Sequence, residues 1–248
     1  MPRRSTSFFS PEDRDHARER VLELARSDGR IVAGAVVGSL ALGDGDEWSD
    51  LDLTFAVAEG IAVEDVLGDW TRVLASDLDA VHLFDLWAGA ALYRVFVLPG
   101  CLQLDVSLAP QSSFGARTPT FRLLFGSAAE LPQVAPPPAE ELFGYAVHHA
   151  VRARFAIDRG QLWLAEYWVS AVRDYALALA CHRRDLPTSY GRGFDELPEQ
   201  VLAGFEGALP RSLDRDELLR ALRVSVDGLA REAGELADPV AEQLQALA

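Results

Sequence analysis

The chain has 248 residues, 49% hydrophobic and 25% charged, which is ordinary for a folded soluble protein and allows a sizeable buried core. Its formal net charge is −15, and every basic residue is Arg, with no Lys. Such an acidic surface repels nucleic-acid backbones and anionic membranes and attracts cationic small molecules, besides favouring solubility.

The opening MPRRSTSFFSPEDRD has two Arg but no apolar run of signal-peptide length, and no later run nears the roughly 18 apolar residues of a membrane span. A cytoplasmic protein is expected. Ser10 is a good N-cap, Pro11 suits a first helical position, and Glu12 and Asp13 favour the positive end of a helix. Ala17, Val21, Leu24 and Ala25 give that helix its apolar stripe, and Gly29 ends it. Residues 31–38 (IVAGAVVG) are a short apolar run between breakers and predict a buried strand. A loop with Asp44, Asp46 and Glu47 follows, read as polar surface. LDLTFAV, residues 51–57, alternates and predicts a second strand. Val63, Val66, Leu67, Trp70, Val73, Leu74 and Leu78 lie at helical spacing.

Three strand-like runs come next, at 80–87, 92–98 and 101–109, with Pro99-Gly100 as the turn between the last two. Asp85 interrupts the first of them and is a minor candidate for a cleft residue. FRLLFGS, 121–127, suggests an edge strand. Pro136, Pro137 and Pro138 cannot lie within a helix or a central strand, so they mark a linker at 135–139 between domains 1–134 and 140–248. Beyond them the period is helical: 140–157, 161–182, 199–208, 214–237, and a last helix capped by Asp238 with Pro239 behind it. The expected architecture is α+β: an N-terminal domain with a mixed sheet, then an all-helical bundle. Cys101 and Cys181 show no metal or redox spacing and read as unpaired thiols.

Acidic side chains are poor strand formers, yet Asp50 and Asp52 open the second strand. Alternation puts both on one face, with Leu51, Leu53 and Phe55 on the other. In CLQLDVSLA the same parity separates Leu102, Leu104, Val106 and Leu108 from Gln103, Asp105 and Ser107. If the two strands are neighbours, Asp105 joins Asp50 and Asp52. Three converging carboxylates repel unless a cation sits among them, and Mg²⁺ with substrate phosphates is the natural occupant. Gly38-Ser39 ends a strand where SLALG can start a helix. Backbone N–H groups at such a turn bind phosphate, glycine allows close approach, and the Ser39 hydroxyl adds a donor. Together these describe a nucleoside triphosphate site.

The run Val37-Gly38-Ser39, a short gap, then Asp50-Leu51-Asp52, with a third acid at Asp105, resembles the DNA polymerase β-like nucleotidyltransferase superfamily. The likeness covers about residues 31–127. The long helix with Arg173, followed by YGRGFDELP, is similar to the helical domain of small-molecule nucleotidyltransferases, the aminoglycoside and lincosamide resistance enzymes. The resemblance implies transfer of AMP, or another nucleoside monophosphate, from ATP or another NTP to a small-molecule hydroxyl. It implies two Mg²⁺ ions held by Asp50, Asp52 and Asp105, phosphates gripped by Gly38 and Ser39, and an acceptor received between the domains. Asp105 would complete a metal site and serve as general base. Glu166 is a second base candidate, and Arg173 and Arg192 are candidate phosphate ligands. A small cationic or hydroxylated acceptor, no nucleic-acid or membrane partner, and a monomer or homodimer are expected.

Competing readings are plainer. Glu166 sits among Trp163, Tyr167 and Trp168, aromatics whose helical spacing suggests core. Arg173 has Asp174 as an ion-pair neighbour, and Arg192, between Gly191 and Gly193, has the context of an exposed loop residue. His148 and His149 are adjacent on a helix and diverge, so they suit a surface better than a metal pair. A calcium loop in DGDEWSD fails because Trp48 stands at a ligand position and the required glycine is missing. The alternatives to the small-molecule enzyme are a toxin–antitoxin nucleotidyltransferase modifying a protein or tRNA, and a catalytically silent binding module of the same fold. Strong acidity disfavours tRNA, and three retained carboxylates disfavour the silent module.

Overall fold

The structure is a computed structural model and describes residues 8–43 and 45–247. The chain forms two compact units, Met1–Val134 and Ala135–Ala248. The first is α+β and the second is helical among the described residues.

In the first unit, α1 (Pro11–Ser27) starts with a reciprocal cap: the Asp13 amide donates to the Ser10 hydroxyl while the Asp13 carboxylate accepts from the Ser10 amide. There follow β1 (Ile31–Val37), the single-turn α2 (Ser39–Leu42), β2 (Leu51–Val57) and α3 (Val63–Leu78). Next come β3 (Val81–Ala88), β4 (Ala91–Val97), β5 (Gln103–Pro110), the two-residue β6 (Gly115–Ala116), β7 (Phe121–Phe125) and β8 (Ala129–Glu130). Six strands form one sheet in the order β3-β4-β5-β2-β1-β7; β6 and β8 make a small parallel pair. The sheet is mixed. β2 and β5 run parallel, and every other neighbouring pair is antiparallel.

One face carries the core. Leu51, Leu53 and Phe55 of β2 and Leu104, Val106 and Leu108 of β5 pack there against Val21 of α1 and Leu67, Trp70 and Leu74 of α3. Phe55 meets Trp70 edge to face at 5.2 Å. Gly34 keeps β1 slim at this layer, since a Cβ there would run into the rings of Phe55 and Phe125. On the opposite face a small cluster of Ala33, Ala35, Ala56 and Phe114 covers the end of the sheet away from Asp52.

The second unit holds α4 (Ala139–Asp158), α5 (Leu162–His182), the short α6 (Glu199–Ala203), α7 (Arg215–Ala233) and α8 (Ala241–Leu247). Its core is built from Ala146, Ala150 and Ala153 of α4, Val169, Val172 and Ala176 of α5, and Leu218, Leu222 and Leu229 of α7. The many alanines let these helix backbones approach closely.

Three sequence expectations change. Residues 204–208 turn away from an α-helix into a 3₁₀ turn at Glu206–Ala208. Asp238 does not cap a last helix: Asp238 and Pro239 lie inside a 3₁₀ segment, Gly234–Val240, and α8 begins after it. Trp163 and Tyr167 are not core. They are 78% and 61% exposed, and only Trp168 of that group packs on the helical core. Helical spacing recognises a stripe but does not say which side of it another helix covers.

Candidate active site

The acidic face is assembled at one end of the sheet. β2 and β5 start there and antiparallel β1 ends there, so the turn after Val37 reaches the same edge as Asp52 and Asp105. The parallel register sets Asp52 directly beside Asp105 and Thr54 beside Ser107. Asp50 precedes β2 by one residue and lies close enough to act electrostatically on Asp105. Both strands therefore present their acids away from Leu51, Leu53, Leu104 and Val106, which are all at most 1% exposed.

The Asp105 carboxyl is held above its ordinary pKa, chiefly by burial and further by the negative charge of Asp50. The Gln103 side-chain amide works the other way, donating to both Asp105 oxygens at 3.1 and 3.3 Å. Gln103 is one strand step from Asp105 on the same face, so it steadies the carboxylate's orientation.

Gly38 shows why this turn takes glycine. Its φ is 72°, in the region that side chains avoid, and a Cβ there would overlap the Oδ2 atom of Asp52. The missing side chain leaves the carboxylate and the turn backbone in contact. The exposed Ser39 opens α2, with its hydroxyl 3.3 Å from that of Ser49. Ser49 in turn bonds Asp46: its hydroxyl donates to the carboxylate and accepts from the Asp46 amide, both at 2.9 Å. These bonds hold the Asp46 carboxyl below its usual range. Asp46 therefore organises the loop, and Asp44 lies outside the described residues.

Sequence reasoning passed over Arg14. It sits on the buried stripe of α1, 8% exposed, and donates to the carbonyls of Asp46 and Ser49 at 2.6 and 2.9 Å. One guanidinium thus pins the backbone just ahead of Asp50. The signal was present: an Arg three residues before Ala17 and seven before Val21 falls on the apolar face. Arg122 of β7 adds a bond to the Leu40 carbonyl at 3.3 Å, tying α2 to the sheet.

The remaining candidates lie in the helical unit or serve structure. Glu166 is half-buried on α5 and accepts from the Ser170 hydroxyl at 2.7 Å. Arg173 is ion-paired with Asp174 at 2.7 Å. Arg192 is exposed and stacks over the ring of Tyr190 at 5.8 Å. Asp85 pairs with Arg94 at 2.5 Å and His82 at 3.0 Å, and Arg94 also bonds Thr71 of α3, so Asp85 braces the sheet against that helix. His149 turns inward, ring against ring with Trp168 at 4.9 Å and Tyr175 at 5.1 Å. Its Nδ1 is buried without a hydrogen-bond partner, and burial lowers its pKa.

The residues present suit a divalent cation: oxygen donors only, gathered on one face, with a glycine that keeps the adjoining backbone within reach. Among the described residues no three His, Cys, Asp or Glu side chains already close around a metal-sized centre. The convergence of three carboxylates expected from strand parity is therefore not seen, although Asp52 and Asp105 are in register.

The fold is thus an α+β unit with a six-stranded mixed sheet, alongside a helical unit. No protein-family model and no curated protein matches the chain. Among solved structures, the chain is similar to an aminoglycoside 6-adenyltransferase from Bacillus subtilis, with a TM-score of 0.41 and 11% identity over 93% of this chain and 97% of that one.

Proposed function

We propose that the chain is a Mg²⁺-dependent nucleotidyltransferase that moves AMP from ATP to a hydroxyl of a small molecule. The observation that carries this reading is the register of Asp52 beside Asp105, with Asp50 one step away and the backbone of Gly38 in contact with Asp52.

In this reading Asp50, Asp52 and Asp105 would hold two Mg²⁺ ions, which would supply positive charge to offset that of the triphosphate. The turn at Gly38 and Ser39 receives the phosphates through its amides and the Ser39 hydroxyl. Arg14 and Ser49 keep the preceding loop from straying into that space. The acceptor oxygen attacks the α-phosphorus, the bond to the bridging oxygen breaks, and pyrophosphate leaves with that electron pair. Asp105, half-buried and beside Asp50, would take the acceptor's proton. Glu166 competes for that role, and Arg173 and Arg192 are proposed to meet the polyphosphate after Arg173 releases Asp174. A net charge of −15 favours acceptors that carry protonated amines, as aminoglycosides do.

The test is pyrophosphate release from ATP with Mg²⁺ and a panel of hydroxylated acceptors, read together with product mass. The expected result is Mg²⁺-dependent release and an acceptor heavier by one AMP. Release that requires a protein or RNA would move the acceptor to a macromolecule. No release with any acceptor, together with no nucleotide binding, would overturn the reading. Asp50→Asn should lower turnover by about 100-fold or more with an unchanged melting curve. Glu166→Gln decides the base: a comparable loss of kcat with intact ATP binding would transfer that role from Asp105.

A further inference from the structure

The acidic face does not stop at Asp105. β4 lies antiparallel to β5 with Val95 opposite Asp105 and Tyr93 opposite Ser107, and β3 continues with Phe84 opposite Val95 and Leu86 opposite Tyr93. Cross-strand partners share a face. Two rows therefore run from the acids to the edge of the sheet: Asp52, Asp105, Val95, Phe84, and beside it Thr54, Ser107, Tyr93, Leu86. Phe84 and Leu86 are 54% and 58% exposed, and neither belongs to a core cluster.

Edge strands are normally blunted with charge or proline, yet β3 is exposed at all eight positions and large apolar side chains dominate it. A bulge between His82 and Phe84 turns His82 and Asp85 to the core side, where they meet each other and Arg94. The acid face of β3 is left with apolar side chains and no charge at Phe84 and Leu86. A molecule whose hydroxyl reaches Asp105 must extend somewhere from it. In the direction of β4 and β3 the floor it meets is hydrocarbon and aromatic ring.

We propose that Phe84, Leu86 and Tyr93, seated around the buried Val95, form the floor of the acceptor subsite, and that the acceptor is an amphiphile: a hydroxyl compound with an alkyl or aryl body. The proposal rests on the nucleotidyltransferase reading and deepens it, because polarity at the reacting end and apolarity at the far end are both written into one strand register. Each methylene covered by the floor should tighten binding about fourfold.

The 248-residue chain is titrated with methyl, butyl and octyl β-D-glucoside below their micelle concentrations, with Mg²⁺ and a non-hydrolysable ATP analogue present. The three probes share one set of hydroxyls and differ in tail length. Affinity should rise with the tail, and the double substitution Phe84→Ser and Leu86→Ser should cut the gain at least tenfold without changing nucleotide affinity. Leu209→Ser, at an exposed apolar residue of the helical unit, controls for generic stickiness and should change nothing. Affinity independent of the tail, or a gain that survives the double substitution, overturns the proposal. Mg²⁺-dependent nucleotide binding that is lost in Asp50→Asn is measured alongside. If that binding holds while the tail has no effect, only the floor assignment falls. If nucleotide never binds but the tail still matters, the row is not an acceptor floor and the proposal falls with its premise.

Discussion

Asp105 is held toward its acid form, and that preference has a thermodynamic cost. Its folded pKa lies above its unfolded value, so at intermediate pH this carboxyl holds more proton in the native state than in the unfolded one. Stability from this residue is therefore lost as pH rises through the folded pKa, and the loss disappears below the unfolded value near 4. Asp105→Asn should raise the melting temperature at pH 7, with the difference vanishing in calorimetry below about pH 4. The same variant should lose transfer and the thermal response to Mg²⁺. Gly38→Ala tests the neighbouring contact. A side chain at φ 72° and against Asp52 should cost about 1–2 kcal/mol and blunt the Mg²⁺ response, measured by melting with and without the ion.

Between elements, Asp28 is the junction to test. It follows α1, accepts from Arg30 at 2.8 Å and from the Trp70 indole of α3 at 2.9 Å, and its pKa is lowered to about 2, with the Arg30 bonds as the main cause. A lowered pKa contributes stability that is present above the unfolded value and is lost as pH falls toward 2. Asp28→Asn should cost about 2 kcal/mol at pH 6–7 and progressively less below pH 4, as read from denaturant midpoints. Much at this scale was legible beforehand. The limits of β2 and α3, the cap at Ser10 and the two faces of β2 and β5 follow from alternation, helical period and capping chemistry. What alternation cannot supply is partnership. Parity places Asp105 on one face of its strand, but nothing local says that β5 lies parallel to β2 with Asp52 and Asp105 in step. Arg14 escapes a reading by periodicity because its partners, the Asp46 and Ser49 carbonyls, lie 32 and 35 positions away in sequence. An apolar run such as β3 does not announce its exposure, which follows from its place at the edge of the sheet.

At the scale of the whole molecule, charge is the dominant long-range property. A net charge of −15 attracts small cations and repels anions such as a nucleotide, and salt weakens both effects. Raising NaCl from 50 to 500 mM should lower kcat/KM for an aminated acceptor several-fold and leave that for its neutral analogue nearly unchanged, in steady-state assays at fixed Mg²⁺. Each unit also has its own core: residues of the first share a cluster around Phe55, and those of the second one around Val169 and Leu222. The register that aligns Asp52 with Asp105 has a consequence in time. The β3–β4 hairpin closes over a few residues, whereas the β2–β5 pairing joins segments about fifty positions apart, with a helix and that hairpin between them. Parallel, long-range pairings close late because loop entropy must be overcome before contacts reward it. During refolding, helical signal and burial of Trp70 should therefore recover before the capacity to bind Mg²⁺ with nucleotide. On the ribosome, the paired acids cannot exist until β5 has emerged and docked.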